Sequence, residues 1–206
     1  MKKVILSIVV LAWVFQVSTA QSGFVFGVKG GANYSNQYDS KTDDFTSTSK
    51  FGGVVGAFLG IPIGQYFGIQ PEIHFSQKGF KAEGKILGSP YNLTRTTNYI
   101  DVPLLLTIKP IEYVSIVAGP QYSYLIKQKD VFSNNVFTTE QNKQFDNENL
   151  RKNVLGFVGG VDVNVKNLVI GLRAGWDIQN NNGDGTTTTP RYKNAWTQAT
   201  LGFRLY

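Results

Sequence analysis

Cysteine is absent from the 206 residues, which removes disulfide frameworks, thiolate metal sites and cysteine nucleophiles together. The fold must therefore rest on backbone pairing and packing. Long apolar runs are equally scarce. Only Val4–Val14 is hydrophobic throughout, save for Ser7, and it falls short of the ~20 residues a spanning helix needs. A helical membrane protein is excluded. A barrel is not, because its strands are short and apolar on one face only. Charge is also modest: the formal net charge of +6 drops to +4 without Lys2 and Lys3, 18 basic residues against 14 acidic. Such a mild, dispersed excess argues against nucleic acid as a partner.

What is present begins at the N-terminus. Lys2 and Lys3 precede the apolar stretch, and Ser18-Thr19-Ala20 supplies the small residues that a signal peptidase reads. Residues 1–20 are expected to form a cleaved signal peptide, leaving residues 21–206 as one exported domain.

Within that domain the dominant pattern is period-two alternation, repeated eight times. Phe24, Phe26, Val28, Ala32 and Tyr34 oppose Lys29, Asn33 and Ser35. Phe51, Val55, Ala57, Leu59 and Ile61 alternate with glycines, although Phe58 interrupts the small face. Phe67, Ile69, Pro71, Ile73 and Phe75 oppose Gly68, Gln70, Glu72, His74 and Ser76. Ile100–Ile108 follows the same rule against Tyr99, Asp101, Pro103, Thr107 and Lys109, and Val114–Ile126 against Ser115, Gln121, Ser123 and Lys127. Leu155–Val165, Leu168–Ile178 and Ala199–Leu205 complete the set, with Asp162, Arg173, Asp177 and Arg204 on their polar faces.

Connection lengths add direction. Tight turns fall around 62–65, 110–112 and 166–167, while long polar stretches cover 36–50, 80–96, 128–152 and 179–194. Strict alternation of short and long connections places every long loop at one end of the strands. Outer-membrane barrels show this asymmetry. Strands cross hydrocarbon only as a closed barrel, since an open edge would leave amides unpaired in lipid. The expectation is an all-β, eight-stranded antiparallel up-and-down transmembrane β-barrel with both termini periplasmic. The competing fold is a soluble barrel with its apolar face inward. Against it stand apolar faces almost free of charge and opposite faces rich in Gly, Ser, Thr, Asn and Gln rather than dense charge. Phe24, Tyr34, Phe67, Tyr113, Trp176 and Phe203 near strand ends fit interfacial girdles.

Three stretches, QPEIHFSQKG (Gln70–Gly79), YIDVPLLL (Tyr99–Leu106) and AGPQYSYLI (Ala118–Ile126), resemble the outer-membrane β-barrel family abundant in Bacteroidota that includes PorT-like proteins. Phe26–Ser35 and the closing Leu201–Tyr206 fit as well. The resemblance implies insertion by the barrel-assembly machinery, which reads an aromatic-ended last strand. It implies no reaction, and links one branch of the family to type IX secretion.

Candidate chemistry is thin. His74, beside Glu72 and Lys78, could act as the base of an outer-membrane enzyme acting on lipid A. The plainer reading is a lumenal side chain in a mixed-charge interior with Asp101, Asp162, Asp177, Lys29, Lys109, Arg173 and Arg204, since buried charges must be paired. Asn180, Asn182, Asp184 and Gly185 echo the start of a calcium loop, but Arg191 stands where the bidentate glutamate belongs. Asn92-Leu93-Thr94 matches a glycosylation sequon. Lys78, Lys81, Lys85 and Arg95 against Glu83 could meet lipopolysaccharide phosphates, or simply form a solvated loop. No catalytic residue, metal site or cofactor is expected. The expected function is a structural, surface-binding or assembly role among outer-membrane lipids without general porin activity. The alternatives are a lipid A-modifying enzyme and an accessory of type IX secretion.

Overall fold

The computed structural model describes residues 23–38, 46–86, 89–134, 138–143, 151–181 and 192–205. The expected signal peptide and most of the fourth long connection lie outside them. Among the described residues nine strands form: β1 (Val25–Tyr38), β2 (Thr46–Ile63), β3 (Phe67–Ile86), β4 (Ser89–Ile111), β5 (Val114–Asn134), β6 (Thr138–Lys143), β7 (Asn153–Val165), β8 (Leu168–Asp177) and β9 (Lys193–Arg204). All pairings are antiparallel between neighbours. β1 pairs with both β2 and β9, while β4 pairs with both β3 and β5, so eight strands close on themselves. β6 is the ninth, an accessory strand laid on the upper part of β5 from Gln128 to Ser133. The expected eight-stranded barrel is thus present.

The alternation sorts residues inside out. Val28, Val55, Ile73, Leu104, Leu106, Ile170, Leu172 and Leu201 are exposed on the outer wall, while polar and charged side chains predominate among the buried residues. For a protein in water this would leave a very large apolar surface exposed. In a bilayer it is the low-energy arrangement, because lipid solvates the apolar face and closure of the barrel leaves no open strand edge. Phe24, Tyr34, Phe67, Tyr113, Trp176 and Phe203 all point outward, as expected for girdles. The glycines on inner faces allow the tight coiling. A β-carbon on Gly31 would lie 1.9 Å from the Ala199 carbonyl oxygen, so no larger residue fits where β1 and β9 approach.

Three expectations need correction. The stretches 80–96 and 128–152 are not simply polar loops: β3 and β4 continue through most of the first, and β5 and β6 occupy part of the second. β-branched Thr94, Thr96, Thr97 and Val131 favour extended backbone, and Phe80, Ala82 and Leu93 on the inner face bury against Tyr192. Lys127 does not face the lumen. Asn98 pairs with Lys127 but Tyr99 pairs with Leu125, so Ile126 is an extra residue, a bulge beyond which the inner face passes from odd to even positions: Leu125 is still buried, Lys127 is exposed and Gln128 is buried. Phe58 is no flaw in the second strand. It fills the lumen, 5 % exposed, and its ring occupies space left by Gly27, whose β-carbon would come within 2.3 Å of it.

Candidate functional site: the barrel interior and the platform above it

The bilayer needs ~9–11 tilted residues per strand, yet β3, β4 and β5 have 20, 23 and 21. At the long-loop end these strands continue as a platform of paired segments from β2, β3, β4, β5 and β6. Interior polar groups are arranged in three tiers from the short-turn end to this platform.

The lowest tier centres on Glu72. Its Oε2 accepts from Lys29 Nζ at 2.6 Å and from Arg173 Nη1 at 2.8 Å, while Gln70 donates to Oε1 at 2.7 Å. Arg173 Nη2 donates to Asp162 Oδ2 at 2.8 Å. Asn164 donates to Ser115 at 2.9 Å and accepts from Arg204 Nη2. His74 Nε2 lies 2.9 Å from Glu72 Oε2 but lacks the geometry of a well-formed hydrogen bond. His74 is buried, seated against Gly56, whose β-carbon would overlap its ring. A lipid substrate approaching from the outer face would find this imidazole behind the wall.

The middle tier links β1, β3, β4, β8 and β9. Asn33 donates to Ser76 and accepts from Gln198, both at 2.9 Å. Lys78 pairs with Asp101 at 3.0 Å and stands 3.7 Å over the Trp196 ring and 5.0 Å from Tyr99. Such a desolvated cation gains from both the carboxylate and the ring faces. Asp177 Oδ2 accepts from the Asn194 side chain at 2.6 Å.

The top tier lies inside the platform. Arg95 makes a bidentate pair with Asp130, Nε and Nη2 each at 2.8 Å, and Gln128 adds a third donor at 3.1 Å. The guanidinium lies beside the rings of Phe80 and Tyr192, 5.7 and 5.5 Å from their centroids, and the rings themselves meet edge to face at 5.2 Å. Burial pushes the Tyr192 phenol above its usual range. Burial would depress Arg95, but the bidentate Asp130 carboxylate helps to outweigh it and keep the guanidinium charged.

The expected lumenal set is therefore largely confirmed: Lys29, Glu72, His74, Lys78, Asp101, Asp162, Arg173 and Asp177 are buried, and Lys109 and Arg204 line the short-turn mouth. The expected basic cluster is taken apart. Lys78 and Arg95 face inward to carboxylates, Lys81 is exposed beside Glu83, and the Lys85 side chain lies outside the described residues. Of the calcium-like loop, only Asn180 is described. Among the described residues no group of acidic or histidine side chains could hold a metal. Asp130 and Tyr192, which complete the top tier, were not legible in the sequence: one follows the bulge, and the other comes from the fourth long connection.

Several solved structures share similarity with this chain. The Yersinia pestis attachment invasion locus protein Ail is 14 % identical, with 90 % of this chain and 100 % of that chain covered and a TM-score of 0.46. OprG of Pseudomonas aeruginosa is 12 % identical, with 90 % and 97 % covered and a TM-score of 0.48. Neisserial surface protein A is 14 % identical, with 87 % and 97 % covered and a TM-score of 0.44. No curated protein matches the sequence. Residues 16–181 match the family described as the outer membrane protein beta-barrel domain. That match spans most of the sequence, and the chain belongs to this family as an integral outer-membrane protein.

Proposed function

We propose that this protein is a non-enzymatic, non-conducting barrel that holds a rigid β-platform at the cell surface as a binding or assembly surface. The observation that carries this reading is the excess length of β3, β4 and β5 over what the bilayer requires. The platform is organised around a small apolar core of Phe80, Ala82, Tyr192 and Leu93. In this reading the short turns and both termini face the periplasm, and the platform faces outward. The outer-membrane lipids are its immediate partners, with lipopolysaccharide phosphates placed to meet exposed Lys81 and Lys127. The resemblance of Gln70–Gly79 and Tyr99–Leu106 to Bacteroidota, PorT-like proteins supports a branch within the family; an accessory part in type IX secretion rests on that resemblance alone.

The lack of native cysteine makes the orientation directly testable. Asn92→Cys on the platform should react with a membrane-impermeant maleimide on intact cells, whereas Gln65→Cys in a short turn should react only after permeabilisation. The opposite labelling would reverse the reading. In planar bilayers the purified protein should show no stable large conductance, because a barrel of eight strands has room only for its own side chains. Long-lived porin-sized steps would contradict it.

A further inference from the structure

The outer wall is not evenly filled. Ala32 pairs with Ala199, Thr197 with Ala174, and Ala174 with Gly159, so small residues from four neighbouring strands adjoin on the outward face. Phe51 borders them toward the long loops and Leu172 toward the short turns. The result is an open groove of about 560 Å³ in a face that lipid solvates. Its two borders stand proud of the wall, Phe51 being 71 % and Leu172 63 % exposed.

The long-loop border of this groove carries charge. Lys50 adjoins Phe51 on that side, and its ammonium lies 3.4 Å from the Phe51 carbonyl oxygen. Lys81 is exposed and stands opposite Thr48, two positions from Lys50 along β2. Partial burial and the Lys81 charge both hold the Lys50 ammonium below its usual range. No ion pair among the described residues engages either lysine. Glu83, two residues farther along β3, leaves this corner with a net positive charge. Like charges gathered at the edge of an apolar groove repel unless an anion joins them. A phosphate monoester carries about −1.5 to −2 at neutral pH and balances both lysines, whereas a diester balances one. We propose that Lys50 and Lys81 bind the headgroup of a lipid bearing a phosphate monoester, while one of its acyl chains lies in the groove between Phe51 and Leu172. The site rests on the reading above, in which lipid surrounds the wall below the platform, and names the class of lipid that fills one place on it.

Trp176 reports on the groove. It lies two residues from Ala174 on the same outward face, with its ring 5.5 Å from that of Phe157, whereas Trp196 is buried in the lumen. In phosphatidylcholine nanodiscs, phosphatidic acid with brominated acyl chains should quench Trp176 with an association constant about tenfold above that of brominated phosphatidylcholine, as one added charge-assisted contact implies. Phosphatidylglycerol, a diester, should fall between the two. Lys50→Gln with Lys81→Gln should bring phosphatidic acid to parity with phosphatidylcholine. Ala174→Leu should do the same by filling the groove while both lysines stay in place. Lys166→Gln, in a short turn at the opposite end, should leave the preference intact. Parity in the native protein, equal preference for phosphatidylglycerol and phosphatidic acid, or a preference that survives the double lysine variant or Ala174→Leu would overturn the site. Either variant decides alone if the other does not refold. Parity together with the expected cysteine labelling on intact cells removes the lipid site and leaves the platform reading standing.

Discussion

Glu72→Gln is expected to destabilise the barrel by about 3–5 kcal/mol, the usual cost of leaving buried charge uncompensated. Glu72 is the one carboxylate that Lys29 and Arg173 share, at 2.6 and 2.8 Å, and its side chain has no solvent exposure. Glutamine preserves shape and one acceptor but leaves two ammonium-type charges facing a single remaining acid, Asp162. Both cations are buried, Lys29 5.8 Å from the centre of the Phe58 ring and Arg173 bound to Asp162 at 2.8 Å. Urea unfolding in lipid vesicles, followed by the gel shift between folded and unfolded forms, measures the loss. Adding Lys29→Gln to Glu72→Gln should restore part of it, because the pair is then removed together. A loss below about 1 kcal/mol would mean that water reaches this tier freely and that the lumen is not sealed.

A second large effect belongs to the outer wall. Leu172 stands midway along β8 and is 63 % exposed. In a soluble protein Leu172→Arg at so open a position would change stability by roughly 0.5 kcal/mol or less. With hydrocarbon against it, the same change should cost about 2–4 kcal/mol. Gln65→Arg in a short turn outside the apolar band should cost close to nothing and serves as the reference. Equal effects at the two sites would place water, not lipid, against Leu172.

The barrel was legible because its two signals are local. Alternation such as Phe67–Ser76 reports which face each side chain takes, and connection length reports which end each loop occupies. Charges on the predicted inner faces, from Lys29 to Arg173, then had to share one lumen. What could not be read were contacts that depend on how far strands continue beyond the bilayer. Nothing in Phe80–Thr96 distinguishes a polar loop from a hairpin until Tyr192, from a distant connection, supplies a surface to bury Phe80 and Leu93. Arg95 looked like part of a basic cluster because its acid, Asp130, lies 35 residues away. Phe58 looked misplaced until Gly27 was seen to make room for its ring.

The extra residue in β5 has a consequence for how this chain can vary. In a strand, one inserted or deleted residue ordinarily exchanges inside for outside along everything that follows. At Ile126 the surplus residue is absorbed within the β4–β5 ladder, so the segment from Lys127 to Asn134 keeps its own phase. The bulge works as a clutch between two lengths of one strand. Sequence toward the long-loop end can gain or lose residues above it while Ser115, Gln121 and Ser123 keep facing the lumen below.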